Sequence, residues 1–221
     1  MPERADRGRT RAAAARSPHT SPTGGAIVSA SAITPPTYWH EMDSPVGALL
    51  LIGHRDALTR VHFQAGPQPL RPCAQWLPAA GPFAQVLSQL GEYFAGTRRA
   101  FRLRLAPTGT PFQLSVWQAL REIPYGQTTS YGELARRLGQ AGAARAVGLA
   151  NGSNPLPIIV PCHRVIGADG SLTGFGGGLY IKRALLALEG AACATDLFSA
   201  PRPANAGEGV APGDATRASG S

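Results

Sequence analysis

Hydrophobic positions in the first part of the chain have the spacing of a hairpin and then of a helix. Ala48–Ile52 and Leu58–Phe63 are short apolar runs separated by Gly53–Ala57, which is the pattern of a β-hairpin. Large apolar residues then recur at helical spacing. They predict a helix over Pro82–Phe94 that Gly96 stops.

An alternation of apolar and charged residues predicts one more strand. Phe101, Leu103 and Leu105 alternate with two arginines, as residues of a half-buried strand do. Strands combined with one helix indicate a small α/β unit, which we place at 35–107. Nothing in its pattern indicates chemistry, so we interpret this unit as a scaffold.

The pattern becomes helical in the second unit, 108–190. A first helix is predicted from apolar residues that share one face, namely Phe112, Val116, Trp117 and Leu120. Ser130 and Glu133 have the S-x-x-E spacing of a capping box, so another helix is predicted to start there and run through Leu138. A further helix over about Ala143–Leu149 follows a short turn, which completes the plan of a helix-turn-helix.

The second helix of this pair combines small residues with one cation. Ala144, Ala146 and Gly148 allow a helix backbone to approach another surface closely, and Arg145 supplies the charge. On a nucleic acid such a helix suits a narrow groove, with Arg145 available to insert into the base stack. A buried alanine-rich helix with Arg145 on its solvent side fits the composition equally well.

Composition narrows the class of protein. A hydrophobic fraction of 43% is enough for a core and excludes a wholly disordered chain. No apolar stretch reaches the roughly 18–20 residues that span a bilayer. The cysteines at 73, 162 and 193 are too few and too scattered for a disulfide scaffold or a zinc site. We therefore expect a cytoplasmic protein with free thiols.

The charge distribution indicates a polyanionic partner. The chain has 21 basic and 13 acidic residues, a net charge of +8, and residues 35–189 hold 14 and 8 of them. Net positive charge on a small domain raises the expectation of nucleic acid. The ends, 1–34 and 191–221, have no apolar periodicity, so both are predicted to be disordered tails.

The segment around Cys162 is the strongest candidate for chemistry. Ile158–Val160 has the pattern of a short buried strand, and Pro161 must end it because proline cannot donate to a sheet. Cys162 is then followed by His163 and Arg164, whose side chains favour a reactive thiolate. In an extended chain the side chains of residues 162 and 163 point in opposite directions, so their pairing needs a turn or a bridging water.

Glu189 is the candidate group to orient the imidazole. It ends a helix predicted over Gly178–Glu189, before Gly190, and it falls on the apolar face of that helix. A carboxylate there needs a partner, because the macrodipole at a helix C-terminus disfavours negative charge. An exposed terminal glutamate is the alternative.

The glycine-rich segment 174–178 resembles a nucleotide loop only superficially. The G-x-G-x-x-G pattern fails at Leu179, and no GK[ST] sequence follows. We interpret the segment as a wall over the reactive site, with Phe175 as a packing surface.

These motifs together resemble the O6-alkylguanine-DNA alkyltransferase family over about residues 38–190. The resemblance rests on Pro161–Val165, on Asn154-Pro155 before it, and on Gly177–Leu179 and Glu189-Gly190 after it. It implies an α+β fold, with a small ribonuclease H-like α/β domain before a mainly helical, winged-helix-like alkyltransferase domain.

The resemblance also implies a reaction and its residues. Cys162 would take an alkyl group irreversibly from O6 of guanine, and O4 of thymine is a further expected substrate. His163 would act through a water, Glu189 would orient it, and Asn154 would hold the active-site turn. Tyr131 would protonate the departing base, and Arg145 would fill the space it leaves. The expected base pocket comprises Val160, Cys162, Pro157, Phe175, Gly176 and Gly177.

The remaining expectations concern partners and rival functions. The implied partner is double-stranded DNA, and the implied protein is a monomer without a cofactor. Family members with a zinc site use Cys and His ligands, and Cys73 alone cannot supply that site, so no metal is expected. The rivals are a lesion-binding protein without activity, against which Cys162 argues, and a Cys–His hydrolase, which would turn over repeatedly.

Overall fold

The first half of the described chain forms a four-stranded sheet, and the second half is mainly helical. The computed structural model describes residues 35–66 and 68–191. Its strands are β1 (Tyr38–Met42), β2 (Leu49–Gly53), β3 (Leu58–Phe63), β4 (Leu77–Pro78), β5 (Thr129–Ser130) and β6 (Val165–Ile166). Its helices are α1 (Ala84–Phe94), α2 (Pro111–Leu120), α3 (Tyr131–Arg137), α4 (Ala144–Gly152) and α5 (Leu179–Leu188), with 3₁₀ turns at Gly81–Phe83 and Cys162–Arg164. The predicted tails lie outside these residues except for Ala191, and so does Cys193.

The N-terminal sheet confirms the predicted hairpin. Its order is β3-β2-β1-β4, with β2 antiparallel to both neighbours and β4 parallel to β1. All five residues of β2 are buried, since this strand lies between β3 and β1, whereas Arg60 of β3 and Glu41 of β1 are exposed. The predicted helix is also confirmed as α1, which starts at Ala84 because the 3₁₀ turn takes up the residues from Gly81 to Phe83.

The strand predicted at Phe101–Leu105 is wrong. Only a single bridge forms there, between Leu105 and Leu58 at the outer edge of β3. The side chain of Gln89 on α1 takes the place of a neighbouring strand, since it donates to the Arg102 carbonyl at 3.0 Å and accepts from the Arg102 amide at 2.8 Å. Backbone polar groups satisfied in this way do not need a ladder.

The strand predicted at Ile158–Val160 is also wrong. These residues lie in a turn in which Ile158 has a φ of 73°, the left-handed region that strands do not use. All three side chains are buried, which explains why their apolar run has the pattern of a strand.

The helix-turn-helix is confirmed as α3 and α4. Ser130 caps α3 by accepting a hydrogen bond from the Glu133 amide at 3.1 Å. The Glu133 carboxylate contacts Arg136 and Arg137. β5, which leads directly into α3, pairs in parallel with β6, which directly follows the Cys162–Arg164 turn. This pairing places the start of α3 beside the reactive segment.

One hydrophobic core supports both halves. It joins side chains of β2 and α1 to those of α2, of the 156–160 turn and of α5. Five fully buried members show this spread, namely Leu49, Leu90, Leu120, Leu156 and Leu185. Along the part of the chain that the structure describes, none of the helices is long and apolar enough to cross a membrane.

Candidate active site

Asn154 organises the turn that carries the reactive segment. Its side-chain amide donates to the Val160 carbonyl at 2.8 Å, and its side-chain oxygen accepts from the Leu156 amide at 3.0 Å. The turn closes with a bond from the Val160 amide to the Leu156 carbonyl at 2.8 Å. A left-handed β-branched residue costs on the order of 1–3 kcal/mol, and the complete burial of Ile158 offsets this cost.

Cys162 begins a 3₁₀ turn directly after Pro161. Its amide donates to the Val160 carbonyl at 2.8 Å, and Asn151 donates to its carbonyl at 3.4 Å. Cys162 and His163 therefore do not alternate across an extended strand, as the sequence suggested. The turn that their pairing requires is present, because a 3₁₀ helix offsets neighbouring side chains by about a third of a turn rather than the half turn of a strand.

His163 is fully buried and held by Glu189. The distance from His163 Nε2 to Glu189 Oε1 is 2.9 Å, and Nε2 must donate because an ionised carboxylate only accepts. The lone pair is then on Nδ1, which has no hydrogen-bond partner among the described residues. Burial lowers the pKa of His163 in spite of the opposing effect of Glu189, so the imidazole is neutral and can accept a proton.

Glu189 is buried and saturated with donors, so the alternative of an exposed carboxylate is wrong. Its Oε1 accepts from Tyr93 Oη at 2.8 Å, His163 Nε2 at 2.9 Å and Arg164 Nη2 at 2.9 Å, and its Oε2 accepts from Arg164 Nε at 2.8 Å and the Gly126 amide at 3.2 Å. Burial by itself raises the pKa of Glu189. The hydrogen bonds from His163 and Arg164 outweigh it and hold that pKa well below its usual 4.5.

Arg164 does not favour the thiolate, which corrects the sequence prediction. Its guanidinium turns toward Glu189 and donates to the Ile123 carbonyl at 2.6 Å. Burial raises the pKa of Cys162 to about 11, against weaker opposite effects of Asn154 and Lys182. The resting thiol is therefore protonated at neutral pH, and its reaction needs a base.

Cys162 lies on the wall of a cavity of about 390 Å³. Five residues of the predicted pocket border it, namely Cys162, Pro157, Phe175, Gly176 and Gly177. Val160 is not among the lining residues: its side chain is buried, and its carbonyl accepts from the Asn154 side chain and the Cys162 amide. The N-terminal sheet contributes Phe63, whose ring contacts that of Phe175 with centroids 5.6 Å apart.

A second cavity, of about 550 Å³, runs along α4. Tyr131, Ala144, Arg145 and Gly148 line it, whereas Ala146 is exposed on α4 outside it. Phe175 and Gly176 border both cavities. The Tyr131 hydroxyl accepts from Thr173 at 3.3 Å, and burial raises the pKa of Tyr131, so the phenol keeps its proton.

Sequence reasoning missed three residues of this site. Tyr93 and Gly126 approach Glu189 from distant parts of the chain, and no local pattern indicates either contact. Lys182 had a signal, because it is the only lysine in the chain and falls within an apolar helix. It is fully buried, and its Nζ donates to the carbonyls of Val165 at 2.7 Å and Thr173 at 2.8 Å. In residues 35–66 and 68–191, no group of three or more His, Cys, Asp or Glu could hold a metal ion.

The Gly126→Ala variant tests how closely the backbone must approach Glu189. Gly126 has a φ of 76°, and a Cβ there would lie 2.9 Å from the Glu189 carbonyl oxygen. Gly96 is the matched control, because it has a φ of 74° and nothing within 4 Å. In urea unfolding, the Gly96→Ala variant should have a free energy of unfolding about 1–2 kcal/mol lower than the unmodified protein, because alanine is strained in a left-handed backbone. Gly126→Ala should lose more, and equal losses would contradict the close approach.

The comparisons with known proteins agree on one family. A model described as the ribonuclease-like domain of 6-O-methylguanine DNA methyltransferase matches residues 37–107. A model described as the DNA binding domain of the same enzyme matches residues 111–191.

Individual relatives resemble the chain over nearly their whole length. A methylated-DNA–protein-cysteine methyltransferase of Mycobacterium bovis is 52% identical over 161 residues, which are 72% of this chain and 96% of the relative. One of Methanosarcina acetivorans is 50% identical over 153 residues, 69% of this chain and 98% of the relative. The crystal structure of Mycobacterium tuberculosis OGT in complex with DNA matches with 52% identity and a TM-score of 0.65, covering 69% of this chain and 92% of that one.

Proposed function

Because the chain belongs to the methylated-DNA–protein-cysteine methyltransferase family, we propose that it repairs DNA by moving an alkyl group from O6 of guanine to Sγ of Cys162. One observation carries the assignment of residues. A cysteine on a cavity wall precedes a neutral histidine, and Glu189 holds the far nitrogen of that histidine. This is the arrangement of a nucleophile, a base and an orienting carboxylate.

The first step is removal of the thiol proton. A buried thiol with a pKa of about 11 is a weak nucleophile until a base accepts its proton. His163 Nδ1 carries the available lone pair, and a water between Nδ1 and Sγ would relay the proton. Glu189 keeps Nε2 protonated and stabilises the imidazolium that forms.

Alkyl transfer is then a single displacement. The S–C bond forms while the C–O6 bond breaks, and the electron pair of that bond stays on guanine. Tyr131, whose phenol is protonated, supplies a proton to the leaving base. The proton lost by Cys162 balances the one gained by guanine, so the reaction needs no cofactor. A thioether does not revert, so each molecule reacts once.

The substrate base must leave the duplex to reach Cys162. The surface of α4 suits the minor groove, since its small residues allow close approach and Arg145 is exposed beside the cavity along α4. Arg145 would occupy the space left by the flipped nucleotide. Its insertion would offset part of the unstacking cost of a few kcal/mol. Ala144, Ala146 and Gly148 would form the rest of this contact surface.

The Arg145→Ala variant separates base flipping from chemistry. We expect single-turnover repair of O6-methylguanine in duplex DNA to slow by about tenfold or more, because the unstacked state loses its plug. Reaction with free O6-methylguanine should keep its rate. Arg104→Ala is the control, since it removes the same charge from a side chain in the first half that is 79% exposed. Equal losses on duplex and free base would mean that Arg145 is not a plug.

Mass spectrometry tests the proposal directly. After incubation with duplex DNA containing one O6-methylguanine, the full chain should gain one methyl group, located on Cys162 by peptide mapping. Transfer should stop at one equivalent, whereas a Cys–His hydrolase would continue to release product. A protein that binds the lesion and keeps its original mass would be a lesion-binding protein instead.

Several finer points belong to the same proposal. We take 35–107 and 108–190 as two domains that act together, and O4-alkylthymine as a second substrate. A cytoplasmic location fits a protein whose Cys73 and Cys162 are both free thiols, because reducing compartments preserve them. A monomer is sufficient, since every group used in the steps above comes from one chain.

A further inference from the structure

Tyr93 brings the N-terminal half into the reactive site. It lies on α1, is fully buried, and donates from its hydroxyl to Glu189 Oε1 at 2.8 Å across 96 residues of sequence. The ring is fixed by three aromatic neighbours, Phe94, Phe101 and Tyr125, with centroid distances of 5.4, 5.5 and 6.2 Å. The hydroxyl therefore has one well-defined position.

The hydroxyl shares its acceptor atom with His163. Glu189 Oε1 accepts from Tyr93 at 2.8 Å and from His163 at 2.9 Å. Each donor withdraws charge from that oxygen, so the Tyr93 bond weakens the pull of Glu189 on the imidazole proton. Burial and the neighbouring Glu189 raise the pKa of Tyr93 far above its usual 10, so it stays a donor throughout the working pH range.

We propose that Tyr93 is a positioning residue, whose hydroxyl fixes Glu189 Oε1 and thereby tunes His163 as the base for Cys162. This inference rests on the proposed function and adds a contribution of the N-terminal half to it. The scaffold interpretation of 35–107 is then incomplete, since that half supplies a hydrogen bond to the reacting assembly as well as support.

Other charged and titratable groups surround the same pair. Around His163 and Glu189 lie Cys162 and Arg164 of the 3₁₀ turn, Lys182 of α5 and Tyr93 of α1. Tyr125 of the 124–126 turn contacts the Tyr93 ring and the Arg164 guanidinium instead. Tyr125 donates to the Leu188 carbonyl at 3.1 Å rather than to the carboxylate. A change made at the Tyr93 hydroxyl alone leaves all of the others in place.

The test is the pH dependence of single-turnover methyl transfer by the full-length Tyr93→Phe variant. Phenylalanine keeps the aromatic packing and removes only the hydroxyl. Without that donor Glu189 attracts the imidazole proton more strongly, so the low-pH limb of the rate profile should move to higher pH. At neutral pH the rate should fall by about tenfold, because Oε1 is less firmly fixed.

The control is Tyr125→Phe, which removes a neighbouring hydroxyl and keeps the ring that packs on Tyr93. Its pH profile should match that of the unmodified protein. Thermal unfolding of both variants separates stability from positioning. A Tyr93→Phe variant that is less stable but has an unmoved low-pH limb would overturn the inference, and so would unchanged kinetics. Both outcomes require that the unmodified protein methylates Cys162. If it does not, the proposed function fails, and that result is distinct from a failure of the role of Tyr93.

Discussion

Cys162→Ala is expected to abolish methyl transfer completely while lesion binding survives. Cys162 carries the one thiol among the described residues that line the cavity, and Asn154 holds the backbone just before it through the Val160 carbonyl. Removing the sulfur therefore removes the chemistry and leaves the pocket. The measurement is radiolabelled methyl on protein after incubation with methylated duplex DNA, combined with a binding titration on the same DNA.

Cys73→Ala is the matched control for this experiment. Cys73 is an exposed free thiol, whereas Cys162 is 4% exposed. If exposure decided reactivity, Cys73 would be alkylated first. We expect Cys73→Ala to accept one full equivalent of methyl. Label on the Cys162→Ala variant would instead show that a different residue is the acceptor.

Glu189→Gln should have the largest effect on stability. A glutamine places an amide NH₂ group where donors of Arg164, His163, Tyr93 or Gly126 now converge, and it leaves the Arg164 charge buried without a counter-ion. Breaking one partner of a buried ion pair costs about 3–5 kcal/mol. Loss of the oriented base should also slow transfer by about 100-fold or more.

The pH dependence of this loss follows from the lowered pKa of Glu189. A depressed folded-state pKa contributes stability that is present above the unfolded value of 4.5 and is lost as the pH falls through the folded value. Urea unfolding should therefore show the gap between the unmodified protein and Glu189→Gln shrinking below about pH 4.5. A gap that stays constant with pH would contradict an ionised Glu189.

Glu92→Gln is the control for the same substitution at a partly exposed position. Glu92 precedes Tyr93 on α1 and pairs with Arg98 at 2.8 Å. Ion pairs that are open to solvent contribute little to the free energy of unfolding, because water and salt screen both charges. We expect its unfolding curve and transfer rate to stay near those of the unmodified protein.

Local patterns were informative where one residue and its immediate neighbours decide the structure. The hairpin of β2 and β3 follows from two apolar runs around a turn, and the start of α3 follows from the Ser130 cap. The prediction that Glu189 has a partner is confirmed, because a carboxylate on an apolar helix face must be compensated. Local patterns do not identify the partners of Glu189.

The two wrong strands show the limit of periodicity. Ile158–Val160 is apolar because the turn is buried, and burial alone does not distinguish a turn from a strand. Phe101–Leu105 alternates correctly, but the amide of Gln89 satisfies the backbone groups that a neighbouring strand would have paired. In both cases a polar side chain outside the segment, Asn154 or Gln89, hydrogen-bonds its backbone and so helps to fix its geometry.

The sequence by itself determined the chemistry available to this protein: a cysteine after Pro161, a histidine beside it, a carboxylate at the end of α5 and a small-residue helix with one arginine. Only the tertiary structure decided how these groups work. Packing turned Arg164 away from the thiol and onto Glu189, buried Cys162 so that it needs a base, and brought Tyr93 across 96 residues to the same carboxylate. The physical reason is that pKa values and hydrogen-bond partners depend on burial and on distances through space, which neighbours in the sequence do not fix.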